Sequence, residues 1–258
     1  MFNFARKIPL FCAKFAPRMN TIAVILAGGS GSRMGLGRPK QFLQLAGKSI
    51  LEHSVDAFHA SGEVKAVIIV SNPDFVAEVE SIVGSHRARR EWAKVCAVIA
   101  GGRERSDSSV NALRWIGSHA RESGVEAEAV LFHDAVRPLV DGRIIADVCA
   151  ALDSHEAVNV TLPVVDTIVR ATGGVMRDTV DRSVLQRVQT PQGFRLGTIG
   201  EAYRRALADP GFRATDDCGV VLRYMPEVPI ALVRGSERNL KLTYRDDIPL
   251  FEFLLNNI

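Results

Sequence analysis

The sequence predicts an α/β fold built on a mostly parallel sheet with helices on both faces. Two observations carry that prediction. Short, uninterrupted apolar runs recur along the chain, and stretches with helical spacing separate them. A strand buried on both faces reads as a continuous apolar run, and the crossover helices of a parallel sheet cover both its sides. The 258 residues, 47% hydrophobic and 24% charged, suit one such domain with a full core.

The elements follow in order. TIAVILA (21–27) is the first strand, and a glycine-rich loop leads from it to a helix at 49–60. VKAVIIV (64–70) is a strand, Pro73 to Val83 a helix, and KVCAVIA (94–100) a strand. GGRERSDS precedes a helix through Leu113 and Trp115. AVLFHDAVRP (129–138) reads as a strand with a polar tip, 141–153 as a helix and 157–163 as a strand. Residues 164–186 break the rhythm: two β-rich segments flank Thr172-Gly173-Gly174, a hairpin signal. This arm has few large apolar residues with which to fold alone, which suits projection onto another subunit. Helices at 196–208, from about 216 and at 246–255, with a strand at 228–233, complete the pattern. The reading is a single domain over 19–258 with nothing further downstream. In such sheets ligands bind beyond the carboxyl ends of the strands, which singles out the loops at 28–40, 101–109 and 133–138.

Bulk properties narrow the partners. A net charge of +3 is too small to argue for nucleic acid or a membrane surface. No stretch approaches the ~18 apolar residues that span a bilayer. Cys12, Cys96, Cys149 and Cys218 form no CxxC pair and read as reduced cytosolic thiols. Residues 1–18 carry Arg6, Lys7, Lys14 and Arg18 and no acid. They have the flavour of a transit peptide but little serine, and a secretory signal fits less well. Met19 just before the first strand favours an N-terminal extension on a cytoplasmic protein.

The loop LAGGSGSRMGLGRPKQF (26–42) holds five glycines between Gly28 and Gly37. Glycines let a backbone approach phosphates and turn its N–H groups toward them. The dinucleotide fingerprint fails because Met34 stands where its third glycine belongs, and the Walker GK[ST] is absent. Arg33 and Lys40 near the glycines suit a triphosphate, whose charge must be offset at the transferring phosphorus. In HDAVRP (133–138), Asp134 ends a buried strand. It suits Mg²⁺, which takes carboxylate, phosphate and water oxygens; a strand-end cap is the alternative. His133 reads as structural rather than as a general base.

LAGG-x-G-x-RMG followed by PKQ resembles the nucleotide-binding signature of sugar-nucleotide pyrophosphorylases. With GGRERSDSSV, HDAVRP, DT…VDR, TPQ, TDD and NLKLT in order, the chain resembles the 2-C-methyl-D-erythritol 4-phosphate cytidylyltransferase family. The resemblance implies a Rossmann-like nucleotidyltransferase fold and transfer of CMP from CTP to methylerythritol phosphate in non-mevalonate isoprenoid synthesis. It implies Mg²⁺ or another divalent cation on Asp134, catalytic Arg33 and Lys40, and a CTP site of Ala27, Gly28, Gly29, Gly31, Arg33, Lys40, Gly101, Gly102, Ser108 and Asp134. It implies acceptor contacts from Arg137, Thr167, Arg182, Thr190, Thr215 and Lys241. The arm residues Thr167 and Arg182 would reach the acceptor of the partner in a homodimer. The family often has an acid after the second glycine of GGRERSDSSV, where this chain has Arg103. Arg105 and Asp107 read as braces of the following helix.

Three rivals stand beside this reading. A cytidylyltransferase for another polyol phosphate, such as ribitol 5-phosphate, would use the same scaffold. A binding protein that lost the chemistry conflicts with the retained Arg33, Lys40, Asp134 and Lys241. An NAD-dependent oxidoreductase conflicts with the missing third glycine.

Overall fold

The computed structural model describes residues 19–29, 37–119 and 126–257. The extension at 1–18 and the loop residues Gly31 and Arg33 lie outside them.

The chain runs through β1 (Thr21–Ala27), a small hairpin of β2 (Gln44–Leu45) and β3 (Lys48–Ser49), α1 (Ile50–Ala60), β4 (Val64–Ser71), α2 (Val76–Ala88), β5 (Val95–Ala100) and α3 (Arg105–His119). It continues through β6 (Ala129–Asp134), α4 (Gly142–Leu152), β7 (Ala157–Pro163), the arm strands β8 (Ile168–Thr172) and β9 (Val175–Val180), and β10 (Gln186–Arg195). α5 (Leu196–Leu207), α6 (Asp217–Tyr224), β11 (Ile230–Arg234) and α7 (Ile248–Leu255) finish it. The main sheet has the order β11-β7-β10-β6-β1-β4-β5. β10 alone runs antiparallel to its neighbours β6 and β7. The mostly parallel sheet of the sequence reading is thus present.

Alternation along β1 explains why the sheet is covered twice. Ala23, Ile25 and Ala27 face a core with Leu51, Val55 and Phe58 of α1, Val79 and Val83 of α2, and Ile144 and Val148 of α4. Ile22, Val24 and Leu26 face a second core with Ala112 and Ile116 of α3, Ile199 and Tyr203 of α5, and Val221 of α6. α1 begins where it does because Ser49 and Glu52 form a reciprocal capping box. α4 is capped by Asp141, whose carboxylate accepts from Ile144 N at 2.8 Å.

Several boundaries differ from the sequence reading. Pro73 starts a 3₁₀ turn over Pro73–Phe75, and the α-helix begins only at Val76. The strand read as 129–138 stops at Asp134, and Arg137 N bonds back to Asp134 O. β10 escapes the apolar pattern because three of its buried residues are polar: Gln189, Thr190 and Gln192 are at most 6% exposed. Pro191 has no N–H, and the pairing of β10 with β7 shifts register between Gln189 and Gly193. The arm hairpin is present, with Gly173 (φ 60°) and Gly174 (φ 75°) supplying the two positive φ angles of a tight primed turn. β8 and β9 pair only with each other, and β8 is exposed throughout.

Register sets the site. Leu26 of β1 pairs with Asp134 of β6, Ala27 with Ser71 of β4, and Ser71 with Ala100 of β5. After β1 the chain builds outward through β4 and β5, then returns to β6 on the other side of β1. The carboxyl ends of β1 and β6 therefore flank a point where strand order reverses, the usual ligand crevice of open α/β sheets.

Candidate active site

A cavity of about 500 Å³ opens at that point. Leu26, Ala27, Gly28 and Gly29 from the end of β1 line it, with Lys40 and Gln41 from the return of the glycine loop. Gly102, Arg103, Glu104, Arg105 and Ser108 come from the loop into α3, Asp134 from β6, and Lys241 from the C-terminal third. Of the sequence candidates, Ala27, Gly28, Gly29, Lys40, Gly102, Ser108, Asp134 and Lys241 meet here.

The return of the glycine loop is held firmly. Gln41, buried, donates from Nε2 to Ala27 O at 2.7 Å. Lys40, 7% exposed, donates from Nζ to Leu242 O at 2.6 Å. Arg38 pairs with Glu78 and lies 5.1 Å from the centre of the Phe42 ring.

The loop after β5 is shaped by contact with the first turn of α3. A Cβ on Gly101 would stand 2.6 Å from Ser108 Oγ, and one on Gly102 only 2.1 Å from Asp107 Cβ. Gly102 N donates to Ser108 Oγ at 3.3 Å. Asp107, expected to brace the following helix, accepts from Glu104 N at 3.0 Å. Gly102→Ala is expected to push the loop off α3, a displacement cost of about 1–3 kcal/mol, which urea unfolding of the two proteins checks.

Arg105 does more than the helix-bracing role read from sequence. Its Nε donates to Asp134 Oδ1 at 3.2 Å, and its Nη1 donates to Asp217 Oδ2 at 2.6 Å. On the other side, Lys241 Nζ donates to Asp134 Oδ2 at 2.8 Å. Burial alone would raise the Asp134 pKa. Arg105 and Lys241 reverse that and hold the carboxyl well below its usual range. Arg105 shows the same contest: burial disfavours its charge, but Asp217 and Asp134 outweigh burial and push its pKa up.

Behind this cluster, His133 is wholly buried. Its Nε2 bonds to Arg137 O and its Nδ1 to Thr190 Oγ1, each at 3.1 Å, and its ring lies 4.8 Å from that of Phe58. Burial pushes its pKa down to about 4, so at neutral pH the ring is uncharged. It does not line the cavity. The unfolded chain takes up this proton near 6.5 and the folded chain only near 4, so stability falls as pH drops through that window. By pH 5 the loss relative to pH 7 is about 2 kcal/mol. His133→Gln removes that part of the slope, as urea unfolding at the two pH values will show.

Other candidates stand back from the cavity. Thr190 is buried, and its hydroxyl accepts from Asp134 N at 3.1 Å, which holds the tip of β6. The Arg137 guanidinium is turned to backbone carbonyls, Asn239 O at 2.8 Å and Val188 O at 3.4 Å. Gly101 lies behind Gly102 and outside the lining, as does exposed Thr215 beside the N-cap of α6. Thr167 and Arg182 are exposed on the arm, where Arg182 Nη1 donates to Val165 O at 2.5 Å. Within one chain the arm residues do not join the cavity.

Sequence reasoning missed Gln41, the reach of Arg105, and buried Asp217, whose carboxylate also accepts from Tyr203 Oη at 2.6 Å. The signals were present in PKQ, ERSDS and TDD, but nothing in their spacing shows that Arg105 and Asp217 meet across 112 positions.

An open α/β sheet whose crevice combines a glycine backbone, lysine and arginine side chains and the buried, ionised carboxylate of Asp134 defines a class: enzymes that handle phosphorylated nucleotides. The comparisons narrow it. The IspD family model, described as 2-C-methyl-D-erythritol 4-phosphate cytidylyltransferase, matches residues 21–257, and the chain belongs to that family. A protein of that name from Thermobifida fusca (strain YX) is 46% identical over 92% of this chain and 94% of its own length. The bifunctional ribulose 5-phosphate reductase/CDP-ribitol pyrophosphorylase of Haemophilus influenzae is 42% identical over 88% of this chain, which spans 46% of that protein. The solved 2-C-methyl-D-erythritol 4-phosphate cytidylyltransferase from Thermus thermophilus is 27% identical with a TM-score of 0.69, over 92% of this chain and 99% of that one.

Proposed function

We propose that this cytidylyltransferase joins CTP to 2-C-methyl-D-erythritol 4-phosphate and releases pyrophosphate, a step of isoprenoid precursor synthesis. Family membership over residues 21–257 carries the reading. The cleft supports it with Arg105 and Lys241 around the ionised Asp134 carboxylate.

Mutual repulsion between a triphosphate and a phosphate monoester is the main obstacle to reaction. The Gly28–Gly29 backbone and Lys40 would receive the triphosphate, with Arg33 joining from the glycine loop. Gly101, Gly102 and Ser108 would shape the cytosine and ribose side. Lys241, with Arg137 behind it, would hold the incoming phosphate in line with the α-phosphorus. That phosphate is largely ionised at neutral pH and needs no general base, which accords with a neutral His133 set back from the cavity. Catalysis is then positioning plus fixed positive charge.

The donor set fits a divalent cation. Among the described residues no cluster of three or more His, Cys, Asp or Glu could hold a metal. One carboxylate supplemented by substrate phosphates is, however, the usual Mg²⁺ arrangement. Asp134 would hold the ion, which would offset triphosphate charge.

We also propose a homodimer in which the arm brings Thr167 and Arg182 to the partner's acceptor. The exposed Val165, Val175 and Met176 of the arm, each more than half exposed, support it. No helix among the described residues is long and apolar enough to cross a membrane. We place the reaction in the cytoplasm, where CTP is made.

The Haemophilus relative favours one second reading, ribitol 5-phosphate as acceptor. Comparing kcat/KM for the two acceptors at saturating CTP decides between them. A preference of at least a hundredfold for methylerythritol phosphate is expected, and a preference for ribitol 5-phosphate would overturn the assignment.

A further inference from the structure

Arg105 is shared unequally between two carboxylates. Its bond to Asp217 Oδ2 is 2.6 Å long, whereas its bond to Asp134 Oδ1 is 3.2 Å long. Asp217 is wholly buried. Tyr203 Oη donates to its other oxygen at 2.6 Å, and its N–H donates to Gln192 Oε1 at 3.0 Å. The third Arg105 nitrogen, Nη2, is buried without a hydrogen-bond partner among the described residues. A guanidinium favours two parallel bonds to a single carboxylate. Freed from Asp217, Arg105 has the spare donor to close that pairing on Asp134 and occupy both oxygens. Lys241, the other partner of Asp134, is 40% exposed and can be exchanged.

We propose that Asp217, backed by Tyr203, is a positioning residue that holds Arg105 partly away from Asp134, leaving one edge of that carboxylate available to a divalent cation. The inference rests on the reading of Asp134 as the cation ligand. It gives the second aspartate of TDD a function at a site it does not line.

The readout is the factor by which Mn²⁺ tightens CTP binding, obtained from calorimetric Kd values with Mn²⁺ and with EDTA and no acceptor present. Asp217→Asn is expected to reduce that factor at least fivefold, while the Kd in EDTA stays within twofold. Tyr203→Phe reduces it about twofold. In Arg105→Gln/Asp217→Asn the factor returns to within twofold of wild type, because no guanidinium remains to close on Asp134. A purely structural role would weaken binding alike with and without metal, and the double variant would be worse than Asp217→Asn. Either result overturns the inference. If Asp217→Asn does not fold, Tyr203→Phe and the double variant decide. Asp134→Asn separates the two claims. If it keeps the wild-type factor, the cation-ligand reading fails and this inference with it. If it loses the factor while Asp217→Asn and Tyr203→Phe keep it, this inference alone falls.

Discussion

Replacing Lys40 with methionine lowers kcat about a hundredfold while the KM for CTP changes far less. Lys40 is 7% exposed and lines the cavity, and its ammonium donates to Leu242 O at 2.6 Å. That tether and its burial fix the charge before substrate arrives, so no reorganisation is needed when charge builds on the departing pyrophosphate. One preorganised donor of this kind contributes about 3 kcal/mol to a transition state, which is about a hundredfold in rate. Methionine keeps the length of the apolar stem and removes the charge. Because it also leaves the Leu242 carbonyl without this donor, a stability loss of about 1 kcal/mol accompanies the rate effect. Steady-state kinetics and a thermal melt separate the two. A rise in KM alone would assign Lys40 to ground-state binding.

Asp134→Asn has the largest combined effect, a rate loss of more than about a hundredfold together with a stability loss of about 3 kcal/mol. Asn matches the shape of Asp but cannot balance Arg105 and Lys241. Arg105 would keep Asp217, and Lys241 can turn to solvent, so the loss lies at the lower end for a broken buried ion pair. The two effects have different dependences. The rate loss persists at every Mg²⁺ concentration, whereas the stability loss is read without Mg²⁺ by urea unfolding at pH 7. A variant as active as wild type at saturating Mg²⁺ would remove Asp134 from the cation site.

The outer plan of the fold was legible because β1, β4, β5 and β6 are apolar on both faces and the caps at Ser49 and Asp141 are local signals. β10 was not legible. Its buried face carries Gln189, Thr190 and Gln192, whose polar groups are satisfied by contacts distant in sequence: Gln189 with Ser236 O, Thr190 with His133, Gln192 with Asn159. Hydrophobic periodicity cannot report a strand stabilised in that way. The same limit applies at the site. Glycine loops and strand-tip residues announce themselves locally, so the Ala27–Gly29 backbone, Lys40 and Asp134 could be read from sequence. The Tyr203–Asp217–Arg105–Asp134 chain joins α5, α6, α3 and β6, and only the assembled sheet brings its members together.

In the reaction proposed for this cleft, the acceptor phosphate attacks the α-phosphorus of CTP. The most direct test incubates the purified protein with methylerythritol phosphate, Mg²⁺ and CTP labelled separately at the α- and γ-phosphorus. The α-label is expected to enter the methylerythritol product while the γ-label leaves as pyrophosphate in equal amount, and Asp134→Asn is expected to slow both by the same factor. Transfer of the γ-label to the acceptor, or loss of CTP with no labelled methylerythritol product, would contradict it.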